Sequence, residues 1–302
     1  MALAVLTQAD LDAWVAQARR FTLQGRLPDY IPQLAQVNAR LLAVQVSAEN
    51  QSVISGDFVQ PFVLMSVIKP FLLLYLLEQV GSERVFQQVG MLPSDLPFHS
   101  IAQLKSDHGH PRNPMINSGA IALTGLMPKT SSSDRCEAFR KWLNDRAQTQ
   151  VILNHKALNS VRSLPNETNR RITDLLVQSQ LLERSDLALD TYNQLCCLSG
   201  TIADLAQLGL LLAKPHLEIS HTHQQIVSAL MLTCGLYEVS GTFAVKVGLP
   251  MKSGVSGALV AIVPKQGAIA CYSPAIDRIG NSVAGLFLIE KLAQELNLSI
   301  FC

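Results

Sequence analysis

Within Phe62-Val63-Leu64-Met65-Ser66-Val67-Ile68-Lys69-Pro70 a serine and a lysine stand three residues apart in otherwise apolar sequence, which puts both on one face of a helix. Pro70 fits only the first turn of a straight helix, because deeper inside it would remove a hydrogen bond and clash with the preceding turn. Ser66 therefore falls at a helix start. Free N–H groups and a partial positive charge gather there, and they favour a developing oxyanion and lower the pKa of a nearby ammonium. Partial burial pushes Lys69 the same way. A lysine made neutral by these effects can take the proton of a serine hydroxyl, the Ser-Lys form of nucleophilic catalysis. Taken alone, the spacing also suits a capping serine followed by a lysine that snorkels to solvent.

Far downstream, Lys252-Ser253-Gly254-Val255 reads as a strand end just before another strand. Serine acyl-enzymes of the penicillin-recognising type pair an early Ser-x-x-Lys with a late Lys-Thr/Ser-Gly strand in this order. Gly254 and Val255 on an edge strand would bring a backbone N–H to a carbonyl oxygen and complete an oxyanion hole with the Ser66 N–H. For Lys252 the plain alternative is a surface turn. Pro111-Arg112-Asn113-Pro114-Met115-Ile116-Asn117 is stiffened by two prolines, and Asn117 offers an amide donor and acceptor to a polar ligand. Equally, Asn117 suits the cap of a helix starting at Ser118.

The elements that must hold these groups follow from periodicity. Thr7 and Asp10 resemble a capping box, Leu11, Trp14, Val15 and Ala18 form an apolar stripe, and Gly25 stops the helix. Leu41 to Val46 and Ser52 to Ser55 read as a hairpin turning through Ala48 to Gln51. From Ser66 to about Leu212 the pattern turns helical, near 66 to 80, 82 to 89, 118 to 126, 134 to 147, 169 to 182, 186 to 198 and 201 to 213. Strands return at Thr242 to Val247, Met251 to Ser253, Ala258 to Val263 and Ala268 to Tyr272, before a helix from about Asn281 to Leu296. Strands at both ends joining in one sheet predict an α+β fold. Its sheet lobe covers about 1–65 and 237–302, and a mainly helical lobe of about 66–236 is inserted as part of one catalytic unit.

With 302 residues, 48% of them hydrophobic, and a net charge of +1, the chain can build a large core but no strong field for nucleic acid or an acidic membrane. A small-molecule partner is expected. The longest apolar run, Pro70 to Leu77, is too short to cross a bilayer, and Met1 to Gln8 lacks the pattern of a secretory signal, so the expected location is the cytoplasm. Cys136, Cys196, Cys197, Cys234, Cys271 and Cys302 show no C-x-x-C pair, and His108 with His110 and His221 with His223 lack a third ligand, so no metal is expected.

Taken together, Asp29-Tyr30-Ile31-Pro32, Ser66 to Lys69, Pro111 to Asn117, Leu232 to Tyr237, Val247 to Val255 and Gly280 to Gly285 resemble the serine-dependent glutaminases, from about Gly25 to Phe301. The resemblance implies a β-lactamase/transpeptidase-like antiparallel sheet flanked by helices. It also implies hydrolysis of L-glutamine to L-glutamate and ammonia through an acyl-enzyme, with no cofactor or metal, in a homodimer or homotetramer. Position by position, Ser66 would be the nucleophile, Lys69 its base, Tyr237 the proton relay to ammonia and Val255 an oxyanion donor. Tyr30, Asn117, Asn169 and Tyr192 would line the pocket, with Lys252, Ser253 and Gly254 supporting it. A tyrosine beside two lysines is expected to have a lowered pKa, although half-buried packing is the plain alternative for Tyr192 and Tyr237.

Two departures stand out. The family has a Glu seven residues before an Asn to receive the substrate ammonium, yet Arg162 stands seven before Asn169 and Glu167 only two before it. An Arg there would repel the ammonium, so either the loop from Asn159 to Asn169 is remodelled so that Glu167 or another acid takes over, or the preferred substrate differs. Val67-Ile68 also replaces the usual Ile-Ser. The alternatives are another serine acyl-transfer hydrolase of the penicillin-recognising type, or a noncatalytic amino-acid-binding relative.

Overall fold

The strands that carry the core are apolar on both faces, which requires cover on both sides. In the computed structural model, which describes residues 2–48, 51–57 and 60–301, they form an antiparallel five-stranded sheet. Its members are β1 (Ala43–Ala48), β2 (Ser52–Gly56), β6 (Met251–Ser253), β7 (Ala258–Val263) and β8 (Gly267–Tyr272), in the order β2-β1-β8-β7-β6. A smaller three-stranded sheet joins β3 (Phe62–Val63), β5 (Leu198–Gly200) and β4 (Ile152–Leu153), in the order β3-β5-β4. The fold is α+β, an antiparallel sheet flanked by helices. The hairpin turn at Glu49 and Asn50 lies outside the described residues, as does Cys302.

Alternation sorts the sheet's two faces. Val44, Leu259, Ala261, Ile269 and Cys271 pack with the helices Gln8–Arg19 and Val283–Glu295. Val260, Ile262, Ala268 and Ala270 pack with Ile202–Ala213 and Lys69–Gln88. Close approach of Ile202–Ala213 depends on Gly209, where a Cβ would stand 2.6 Å from the Ala268 methyl. A third cluster joins Ile121, Ala157, Leu158, Ile172 and Leu176 beside Tyr192 and Val255. Burying each such Leu or Ile stabilises the fold by roughly 1.5–3 kcal/mol, enough collectively to offset polar groups held inside.

Thr7 caps the first helix, accepting from Asp10 N at 3.2 Å. The helix Lys69–Gln88 is broken at Gly81 (φ 80°, ψ 162°), which matches the expected division between 66–80 and 82–89. One expectation fails: Thr242 to Val247 is not a strand, because Ser240–Lys246 is helical. Phe243, Val245 and Val247 mimic strand alternation, but Gly248 at φ 66° and Pro250 supply a helix stop. His221–Cys234 is a further long helix absent from the expectation, as are the short helices Ile101–Ser106 and His155–Arg162.

Candidate functional site

Ser66 lies in a single 3-10 turn, Met65–Ile68, that feeds into the helix beginning at Lys69, with Pro70 in its first turn. The turn is entered through Met65 at φ 48°, a left-handed conformation that costs a bulky residue roughly 1–3 kcal/mol. Ser66 caps nothing: the helix N-cap is Ile68, without a side-chain bond. Its side chain is free for other work, in a residue only 5% exposed.

Lys69 does not snorkel. It is 1% exposed, and its Nζ donates to Asn117 Oδ1 at 2.8 Å and to Met115 O at 3.2 Å. No carboxylate meets it, so burial holds its pKa down at about 8 instead of the ordinary 10.5. Asn117 is not a cap either. Its Oδ1 also accepts from Tyr192 OH at 3.0 Å, and its Nδ2 donates to Asn169 Oδ1 at 3.1 Å. That one amide ties together Lys69, Tyr192 and Asn169.

Lys252 is fully buried and donates from Nζ to Ser253 O at 2.6 Å and Gly235 O at 3.0 Å. Burial, and then the neighbouring Lys69 charge, push its pKa well below the ordinary lysine range. Ser253 Oγ donates to Asn281 Oδ1 at 2.5 Å. Val255 is in the turn after edge strand β6 and not on the strand itself. Gly254 lets this turn abut Ser66: a Cβ there would stand 2.7 Å from Leu64 O and 3.3 Å from Ser66 N. The Gly254 N–H is taken by Ala258 O at 2.8 Å, and Val255 lines one cavity with Ser66.

Tyr237 corrects the expected lowered pKa. The Lys252 Nζ lies 4.4 Å from the centroid of its ring, and the hydroxyl donates to Ser253 O at 3.3 Å. Burial raises its pKa, with Ser253 and Ser66 acting weakly in the other direction. Tyr192 is also raised by burial, and Ser66 again opposes. Both phenols therefore remain protonated donors beside Ser66. Tyr237 has φ 59°, a second strained residue in the site.

A cavity of about 140 Å³ lies against Ser66, walled by Tyr30, Asn117, Asn169, Tyr192 and Val255 with apolar Val161 and Leu164. It adjoins an outer chamber of about 500 Å³ that carries Glu167 and Arg26. Arg162 is in neither. Its guanidinium forms a two-pronged bond to Asp190, with Nε and Nη2 at 2.8 Å, so its charge is paired outside the two cavities. Glu167 opens the helix Glu167–Gln178 just after Asn166 at φ 49°, and it lines the outer chamber.

The sequence reading missed Phe98, whose ring lies 4.6 Å from Tyr237 and lines both cavities, and Cys196, which lines the inner one. Cys196 stands four residues after Tyr192, on the same helical face, and that spacing was the available signal. The histidine pairs are occupied elsewhere, His110 near Gln87 O at 3.3 Å and His223 with Glu78 at 2.6 Å.

The family model for glutaminase matches residues 25–301. The chain belongs to the glutaminase family. A glutaminase of Synechocystis is 45% identical over 96% of this chain and 89% of its own length. One from Geobacillus kaustophilus is 34% identical over 98% and 99%. Among solved structures, the probable glutaminase YbaS superposes with a TM-score of 0.90 at 33% identity, over 98% of this chain and 99% of the other. A Bacillus subtilis glutaminase covalently joined to 5-oxo-L-norleucine superposes at 0.88 with 30% identity, over 97% and 99%. This glutaminase-family chain thus shares its overall fold with these solved glutaminase structures.

Proposed function

We propose that the protein hydrolyses L-glutamine to L-glutamate and ammonia through an ester on Ser66, with Lys69 as base. The observation that carries this is the hydrogen bonding of Lys69. A neutral amine has two N–H hydrogens and one lone pair. Both hydrogens are committed, to Asn117 Oδ1 and Met115 O, so the lone pair is left for the Ser66 proton. Ser66 Oγ then bonds to the substrate's carboxamide carbon, and the oxyanion rests on the N–H groups of Ser66 and Val255. Tyr237, a neutral phenol, gives a proton to the departing nitrogen and regains one from the Lys69 ammonium as the C–N bond breaks. Water cleaves the ester by the reverse sequence of proton moves.

Asn117, Asn169, Tyr30 and Tyr192 bind the substrate, with Glu167 two residues before Asn169 in the chain, and Lys252, Ser253 and Gly254 hold the oxyanion turn. The chain from 1 to 302 acts as one catalytic unit whose chemistry needs only side chains and water. Among the described residues no single helix is long and apolar enough to cross a membrane, and five buried thiols are unpaired, which suits a reducing compartment such as the cytoplasm. Assembly as a homodimer or homotetramer rests on the family resemblance.

Ammonia release from L-glutamine by the purified protein tests the function. Turnover that disappears in Ser66→Ala is expected; undiminished turnover in that variant, or none in the wild type, refutes it. Labelling of Ser66 by a β-lactam would point to the penicillin-recognising alternative, and tight amino-acid binding without hydrolysis to the noncatalytic one.

A further inference from the structure

We infer that the same site hydrolyses the side-chain amide of glutamine whose α-amino group is blocked, in N-acylglutamine and in short peptides that end in glutamine. The inference rests on the Ser66 reading above and adds a substrate class to it. No charged side chain lines the inner cavity beside Ser66; its walls away from the serine include apolar Ile31, Val161 and Leu164. An ammonium pressed against such walls would be a buried charge without a counterion, which is strongly disfavoured. With the carboxamide at Ser66, the charged end of glutamine is therefore driven to the rim that the two cavities share. Asn166 and Asn169 offer neutral amides at this rim. The charged residues Arg26, Asp29, Glu167, Glu238, Asp277 and Arg278 lie only on the outer side, and Arg162 is paired with Asp190.

Two consequences follow. Selection for a free ammonium is weak, because an amide N–H can donate to a neutral carboxamide oxygen as an ammonium does. A substituent on that nitrogen also has somewhere to go, since the outer chamber is about 500 Å³ against about 140 Å³ inside. The bond changes are those of glutamine hydrolysis: the Ser66 ester forms, the C–N bond breaks, ammonia leaves, and water releases the N-blocked glutamate. The N-substituent takes no part.

The test is ammonia release from L-glutamine, N-acetyl-L-glutamine and glycyl-L-glutamine, with the deamidated products identified by mass spectrometry and Ser66→Ala as control. Values of kcat/KM for both blocked substrates within tenfold of glutamine are expected. Val161→Glu, which places a carboxylate at the inner wall, should move preference toward free glutamine by more than tenfold, with circular dichroism confirming the fold. Glutamine turnover with either blocked substrate more than tenfold slower overturns the inference and leaves the glutaminase reading standing. No turnover of any of the three overturns both.

Discussion

If Lys69 is the base, activity must follow its neutral fraction. Burial lowers its pKa from 10.5 to about 8. At pH 7 roughly one molecule in ten then carries the free amine, against about one in 3,000 for an ordinary lysine, a gain of about 300-fold in competent base. Values of kcat/KM for ammonia release should rise tenfold per pH unit below about 8 and level off above it. The same shift has a stability signature. Between about pH 8 and 10.5 the unfolded chain holds a proton that the folded chain has lost, so the stability contributed by Lys69 rises with pH through that window and is lost as pH falls through it. Integrated, this is about 3 kcal/mol. Urea midpoints of the wild type should climb across the window by more than those of Lys69→Met, which has no proton to lose there. An activity profile with its inflection near 10.5, or equal climbs in both proteins, would refute the reasoning.

Gly254→Ala drives a Cβ to within 2.7 Å of Leu64 O and displaces the Val255 N–H, so kcat should fall by about 10²–10³ with KM little changed, measured by steady-state kinetics. Tyr237→Phe removes the proton donor and should lower kcat by about 10²–10⁴. Its fold should survive, since the lost bond to Ser253 O is worth only about 1 kcal/mol, a difference read by thermal melting. Arg162→Ala should leave KM for glutamine within about twofold, because Arg162 lines neither cavity and its charge is paired with Asp190. It should cost under about 1 kcal/mol in urea unfolding, its ion pair being 45% and 31% exposed. A steep fall in KM would show that the guanidinium does reach the substrate.

The placement of Ser66 at a helix entry was legible because Pro70 fits only the first turn, and the sheet because alternation in Ala258–Val263 and Gly267–Tyr272 demands cover on both faces. The meaning of Asn117 was not, since capping and ligand binding use the same amide, and only its contacts to Lys69, Tyr192 and Asn169 separate them. The Tyr237 expectation failed because proximity to two lysines says nothing of whether the charge meets the oxygen or the ring. The pairing of Arg162 with Asp190 joins residues 28 apart in the chain, which local spacing does not reveal. His221–Cys234 could have been found from Ile226, Val227, Leu230, Met231 and Cys234, which share a helical face.

The central claim is the identity of the nucleophile. A Bacillus subtilis glutaminase forms a covalent complex on reaction with 6-diazo-5-oxo-L-norleucine, and the same reagent can be applied to this protein, followed by proteolysis and tandem mass spectrometry. A single adduct on Ser66 that is absent from Ser66→Ala is the predicted result. An adduct on Cys196, the other nucleophile lining the cavity, or equal labelling of Ser66→Ala, would contradict it.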